Sequence, residues 1–448
     1  MAGSDHQTGL VGLPPELVTH ICSYLCPHCT GVRPRLPNRQ PDLSRLSRTC
    51  RRLRDIVQPI VFHRFHDRQS SPGHRLRLLR VLSIRPDLGQ NIKSLSISEP
   101  DDHDALTEVD QQFINDSIVR LGLPPLPRGW NIDGYGEHRV LLLELILLQT
   151  PNLEVLQIPL DYDWTLNIIR HQATRPFLQK LKSLRVEHFY ISGDRYEVSM
   201  QAVDALLRAS PNLENLSLPT VTDCKGSYTL GNLRRLEFAE DCSIAPDVLS
   251  DFVASSPRLE VFALHWDALS TAYDITEDRR AVDAWVALEQ RADTLRQIRL
   301  DIRDDLPLGH GNRSSMRDFG SLQVLKVNGH ALAVLRQAWL RENPRARIDS
   351  FLSQLLPASI TDVTFWRLDG ALAPAMTRLA KVAAVGRYPN LRSVVLAPSE
   401  LSDRGYEDWP NYSAWDTVRD ALEEEFARGG VRFTVSGTSG YWSSARFS

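Results

Sequence analysis

Lysine is scarce in this chain: only six of its 52 basic residues are lysine (Lys93, Lys180, Lys182, Lys225, Lys326 and Lys381), and the rest are arginine. No lysine precedes Lys93. A compositional preference for arginine accounts for this, and a phosphate-cradling Gly-Lys loop is absent throughout. Also missing are a nucleophile elbow, a His-x-x-x-His pair and a dinucleotide fingerprint, so neither enzymatic activity nor a cofactor is expected. Charge of a single sign is lacking as well. With 52 basic against 55 acidic residues, the chain is neither a polyelectrolyte nor a candidate for wholesale disorder. The longest apolar run, Val140 to Leu148, is interrupted by Glu144 and is too short to span a bilayer. The opening MAGSDHQTGL has neither the basic stretch nor the apolar core of a leader. No membrane partner is expected, and the expected location is cytoplasmic or nuclear. Six cysteines in 448 residues exclude a disulfide scaffold, although four of them (Cys22, Cys26, Cys29 and Cys50) fall in the first fifty residues.

Cys26-x-x-Cys29, with His28 between and His20 nearby, has the local spacing of a zinc site. Such a site needs two further ligands. Cys22 and Cys50 fit equally well as small apolar residues on helix faces, and no metal is assigned from the sequence.

Around these cysteines lie two amphipathic stretches. Pro14 and Pro15 suit a first helical turn, where a missing N–H costs nothing, and Glu16 suits its positive end. Leu17, Val18, Ile21 and Leu25 then recur at spacings of one, three and four. Leu43, Leu46, Cys50, Leu53 and Val57 repeat the pattern, with Arg45, Arg48, Arg51, Arg52 and Arg54 on the opposite side. Two such helices bury little surface alone, so a partner or the residues behind them must cover their apolar sides. From periodicity, a helical cap and a docking module are equally open. Residues 33–85 hold fourteen arginines against three aspartates, but only Phe62 and Phe65 are interleaved. A solvated helix face explains this better than nucleic acid binding, and no nucleic acid partner is expected.

The order Leu13-Pro14-Pro15-Glu16-Leu17, then Ile21 and Leu25, then Leu43, Leu46, Cys50 and Leu53 resembles the F-box motif over residues 11–62. Leu53 stands where the family often has tryptophan, and residues 26–41 lengthen the loop between the helices. The resemblance implies a Skp-type adaptor as partner and, through it, a cullin. It also implies that Leu13, Pro14, Glu16, Leu17, Ile21, Leu25, Leu43 and Leu46 face the adaptor.

Beyond residue 90, one hexapeptide pattern with apolar residues at offsets zero, three and five occurs ten times. Its copies are IKSLSI at 92, LEVLQI at 153, LKSLRV at 181, LENLSL at 213, LRRLEF at 233, LEVFAL at 259, LRQIRL at 295, LQVLKV at 322, ITDVTF at 360 and LRSVVL at 391. Most follow a helical segment and a turn such as Ser-Pro-Asn, whose proline ends the helix. Helix, turn and short strand repeated in this way predict a parallel sheet backed by helices. The pattern resembles a degenerate leucine-rich repeat. The position after each strand where that family often has asparagine is occupied by Asp161, Phe189, Val221, Asp241, Asp267, Arg303 and His330, so turns held by apolar stacking without an asparagine ladder are expected.

The expected fold class is therefore α/β: an F-box-like helical module at 11–66 with the inserted loop 26–41, then an irregular leucine-rich-repeat-like solenoid at 74–435 with an acidic insertion at 98–138. Residues 1–10 and 436–448 are expected to be disordered, and a closing strand is expected at VRFTV. Together the two parts resemble fungal-type F-box/leucine-rich-repeat proteins, which implies a substrate receptor for an SCF-type ubiquitin ligase. Two other classes stay open: a repeat scaffold with no tie to a ligase, and an enzyme with a pocket formed by the 98–138 insertion, against which only the absence of motifs argues. If offsets zero, three and five point inward, then offsets two, four and six face outward. This puts Arg185, Asn215, Arg235, Glu237, His265, Arg299, Asp301, Lys326 and Trp366 on a surface suited to a polar protein target, with Trp366 its one exposed aromatic.

Overall fold

The computed structural model describes residues 9–30, 40–67, 73–97, 106–124, 137–160, 166, 168–169, 177–188, 190–191, 194–195, 198–219, 221–222, 229–242, 244, 246–266, 282–302, 316–366, 372–397 and 412–435. The expected disordered ends (apart from Gly9 and Leu10), loop residues 31–39, insertion residues 98–105 and 125–136, and the turn positions Asp161, Phe189, Asp267 and Arg303 lie outside the described residues. The chain divides into two compact units, residues 1–213 and 214–448. No helix among the described residues is long and apolar enough to cross a membrane.

The first unit opens with helices α1 (Pro15–Leu25), α2 (Pro27–Thr30), α3 (Gln40–Ser47) and α4 (Arg51–Val61). Pro15 occupies the first turn of α1 beside Glu16, as the sequence predicts. Four parallel strands follow, each paired with the next in chain order: β1 (Arg64–His66), β2 (Ser94–Ser96), β3 (Val155–Leu160) and β4 (Ser183–His188). Between them lie α5 (Gly73–Ile84), α6 (Pro86–Gly89), α7 (Glu108–Arg120) and α8 (Glu137–Leu148), and α9 (Met200–Ala209) comes after β4. The start of the sheet is tied to α5 by a buried pair in which Arg75 Nε donates to Asp67 Oδ2 at 3.1 Å.

The second unit carries eight parallel strands, again paired in chain order: β5 (Asn215–Leu218), β6 (Arg235–Cys242), β7 (Val261–Trp266), β8 (Gln297–Ile302), β9 (Val324–Asn328), β10 (Asp362–Trp366), β11 (Ser393–Ala397) and β12 (Arg432–Val435). Helices α10 (Pro246–Ala254), α11 (Val282–Glu289), α12 (Gly329–Glu342), α13 (Phe351–Leu355), α14 (Ala373–Ala384) and α15 (Tyr412–Arg428) fall between strands. β12 is the closing strand expected at VRFTV.

Every hexapeptide starts a strand at its third residue, and its offsets zero, three and five are buried in all ten copies, none more than 6% exposed. A period of two in one half of each segment thus sorts core from surface. Where helices end before a proline, a buried hydroxyl closes the last turn. Ser210 Oγ donates to Leu206 O and Ser256 Oγ to Phe252 O, both at 2.7 Å.

Besides apolar stacking, a set of side-chain hydrogen bonds joins successive turns at a position other than the one after the strand. The donors sit one residue before six of the ten hexapeptides. Asn152 Nδ2 donates to Gln90 O at 2.8 Å and Asn212 Nδ2 to Gln179 O at 2.9 Å, both in the first unit. In the second unit Thr294 Oγ1 donates to Leu259 O at 2.8 Å, Ser321 Oγ to Asp293 O at 2.6 Å, Ser359 Oγ to Leu322 O at 2.8 Å and Asn390 Nδ2 to Ala358 O at 3.4 Å. Serine and threonine serve where asparagine is absent, since the carbonyl of the preceding turn needs only one donor.

Close backbone approach marks one glycine in the first unit. A Cβ on buried Gly89, at the end of α6, would lie 2.2 Å from Gln149 O. Gly89→Ala is therefore expected to destabilise the first unit by about 1–3 kcal/mol. Thermal unfolding of the purified chain checks this, and an unchanged melting temperature would mean that α6 has room to move away from residue 149.

Candidate functional site

The four N-terminal helices enclose a small core of Val18, Cys22, Cys26, Leu43, Leu53, Val57 and Ile60, with Val11, Leu13, Leu25, Leu46, Cys50, Ile56 and Val61 packed around it. Arg52, from the basic side of α4, pins the entry segment: its Nη1 donates to Val11 O at 2.6 Å and its Nη2 to Leu13 O at 2.7 Å. This charge-assisted pair fixes where α1 begins.

α1 has two apolar stripes. Val18 and Cys22 point into the core and are fully buried, whereas Leu17, Ile21 and Tyr24 lie outward, 49%, 38% and 61% exposed. The outward three are spaced four and three apart, which places them on one helical face. Pro14 and Glu16 are exposed beside them, and Leu10 is 38% exposed. Of the residues expected to face an adaptor, Pro14, Glu16, Leu17 and Ile21 are thus on the open surface, and Leu13, Leu25 and Leu46 are half-buried at its margin. Leu43 needs correcting. It is 1% exposed because α3 lays it against α4, and it belongs to the core. Tyr24 and Leu10 are the additions that the sequence reading missed.

Most sheet residues at offsets two and four are half-buried, as an outward row requires, whereas Ser96 and Ala263 are buried and Val155 is exposed. In the first unit, Arg185 Nε is 3.0 Å from Glu187 Oε1, and Gln157 Nε2 donates to the same oxygen at 2.7 Å. In the second unit, register aligns Ser217, Glu237, Ala263, Arg299, Lys326, Thr364 and Val395 across neighbouring strands. Asn215 and Arg235 occupy the adjoining row. Burial holds the Lys326 ammonium below its ordinary range, and the nearby Arg299 and Arg235 guanidiniums lower it further. Burial likewise lowers Arg235, against the pull of Glu237. Arg235, Arg299 and Lys326 therefore form a half-buried cationic patch.

At offset six the expected surface is corrected. Trp366 is 5% exposed, with the Arg299 guanidinium carbon 5.7 Å from its ring centroid, so it is not an exposed aromatic. Asp301 is also buried, 3.5 Å from His265 Nδ1 through Oδ2 and accepting from Asn328 Nδ2 at 2.9 Å through Oδ1. For Asp301 the reason is Asn328. It ends β9 and caps α12, accepting from Ala331 N at 2.9 Å while donating to Asp301 and to Ile302 O, so the chain folds over the strand ends there. Asn328→Ala removes a cap and leaves Ile302 O without this donor. A loss of about 2–4 kcal/mol is expected in urea unfolding, and a change under about 0.5 kcal/mol would show that the network contributes little.

A second cluster gathers at the end of α1. Cys26, Cys29 and His63 bring their ligand atoms within 4.8 Å of one another. Cys22 and Cys50 are not part of it, being turned toward the core.

No curated protein matches the chain. The family model described as F-box-like matches residues 10–68, which takes in all four N-terminal helices and β1, and the N-terminal helical region of this chain is accordingly an F-box-like domain.

Proposed function

We propose that the chain is a substrate receptor of an SCF-type cullin ubiquitin ligase. On this reading the open face of α1 docks on a Skp-type adaptor, which links it to a cullin, and the parallel strands form an irregular leucine-rich-repeat-like solenoid whose outward rows hold a target protein. The chain contributes proximity, while ubiquitin transfer belongs to its partners, and the setting is cytoplasmic or nuclear. One observation carries the proposal: α1 closes the domain's core with Val18 and Cys22 while leaving Leu17, Ile21 and Tyr24 exposed. Clustered exposed apolar side chains on a helix of a small domain mark a surface that a partner covers.

The competing reading makes the N-terminal helices a cap that never meets a ligase. A cap would cover its apolar residues with the strands behind it, and the outward stripe of α1 has no such cover among the described residues. The half-buried patch of Arg235, Arg299 and Lys326, edged by Glu237 and His265, suits a polar epitope with acidic residues. Affinity purification of the full chain and of a Leu17→Asp/Ile21→Asp variant from the same cells tests the division of labour. Adaptor and cullin are expected to be lost from the variant while target proteins remain. Loss of both sets together would place the target on the same face and overturn the two-surface reading.

A further inference from the structure

The cysteines at the end of α1 are not used by either proposed partner face. Cys26 follows α1, Cys29 lies in the short α2, and His63 comes from the turn after α4, 34 residues beyond Cys29. His63 Nδ1 is 3.2 Å from Cys29 Sγ and 3.9 Å from Cys26 Sγ. These distances bracket the separation of about 3.6 Å that bond lengths of about 2.3 Å to sulfur and 2.05 Å to nitrogen impose around a tetrahedral zinc ion. His28 stands at the rim. Its Nδ1 is 4.0 Å from Cys29 Sγ, its ring lies edge-on to His63 with centroids 5.8 Å apart, and its Nε2 is 3.7 Å from Glu154 Oε2.

We propose that Cys26, Cys29 and His63 bind a structural zinc ion, with His28 completing the tetrahedron and Glu154 holding the far nitrogen of that imidazole. A carboxylate behind a ligating histidine is the usual way its tautomer and ring orientation are fixed. Packing alone does not explain the cluster. Cys22 and Cys26 are buried among apolar residues, but Cys29 is exposed, so its sulfur is not placed beside His63 to fill a core. Two thiolates and two neutral imidazoles around the dication would sum to no net charge. The ion would join three separate pieces of the first unit: the end of α1, the turn after α4, and the turn before β3 that carries Glu154. It also gives the lengthened 26–41 loop a physical origin, because its first four residues supply three of the ligands.

The test uses the full chain, purified under reductant and without chelator or metal-affinity resin, with zinc measured by plasma mass spectrometry. About one zinc per chain is expected, and cobalt substitution should give visible d–d bands with a near-ultraviolet thiolate-to-cobalt charge-transfer band. Cys29→Ser, at an exposed position, should lose both signals, whereas Cys50→Ala should keep them. His28→Ala and Glu154→Gln should weaken zinc binding by at least about tenfold. The proposal is overturned if the unmodified chain holds no stoichiometric zinc and gives no thiolate–cobalt band, or if Cys29→Ser binds metal as tightly as the parent. Unchanged affinity in His28→Ala would remove the fourth ligand from the assignment.

Discussion

Leu17→Asp/Ile21→Asp is expected to abolish co-purification of a Skp-type adaptor while leaving the melting temperature of the chain within a degree or two. In the free protein both side chains stand in solvent, 49% and 38% exposed, so replacing them removes little burial. Leu17 lies in the first turn of α1, where an aspartate gains from the helix dipole, and Asp differs from Ile in helix propensity by only a few tenths of a kcal/mol. The folding cost of the pair is therefore on the order of 0.5 kcal/mol. In a docked complex the same two positions would become buried carboxylates without partners. Losing two central apolar anchors in this way costs roughly 3–6 kcal/mol, a drop in affinity of about 100- to 20,000-fold. Titration of the purified adaptor, followed by calorimetry or fluorescence anisotropy, reads the affinity, and circular dichroism reads the fold. Tight binding by the double variant would refute docking through this face, and global unfolding would mean that α1's outer stripe packs against its own chain. Val18→Asp is the contrast: Val18 is fully buried, so that substitution is expected to unfold the domain.

The strands were the most legible part of the molecule, because burial at offsets zero, three and five is written directly into ten hexapeptides, and each begins a strand where expected. Faces were harder to read. In α1 the apolar residues occupy both sides of the helix, and spacings of three and four cannot say whether Val18 with Cys22 or Leu17 with Ile21 turns inward. Only the position of α4 decides that. Leu43 was misplaced for the same reason, since its stripe could have been an outer surface until α3 was seen lying on α4. At offset six, alternation along the strand predicted exposure for Asp301 and Trp366, but alternation knows nothing of a cap such as Asn328 that brings the next helix over the strand ends. β1 was overlooked because three residues are too few to show a period. The partner of Cys26 and Cys29 was hidden by distance in sequence, as only the return of α4 brings His63 to them. The one residue that breaks an apolar run, Glu144, was visible from the start but seemed only to spoil a membrane span.

Glu144→Gln is expected to stabilise the first unit at pH 8 by about 3–5 kcal/mol while changing little at pH 4. Glu144 lies in α8, fully buried, with Oε1 accepting from Ile169 N at 3.0 Å and Oε2 without a hydrogen-bond partner among the described residues. Burial raises its carboxyl from 4.5 to about 8, and the N–H groups of Ile169 and Ile168 only partly oppose this. Between those two values the folded chain holds a proton that the unfolded chain has released. Stability therefore falls as pH rises through that window, by at most about 1.4 kcal/mol per pH unit, and levels off above pH 8. At neutral pH the folded carboxyl is mostly protonated, and folding already bears about 3 kcal/mol of this penalty. Glutamine keeps the oxygen that accepts from Ile169 and cannot ionise, so the variant's stability should no longer decline across that range on this residue's account. Chemical unfolding of both proteins at pH 5, 6, 7 and 8 isolates the effect, since every other titrating group is shared. Parallel curves would mean that Glu144 keeps an ordinary carboxyl in the fold. A variant less stable at every pH would mean that the amide nitrogen, set where Oε2 has no partner, costs more than the charge it removes.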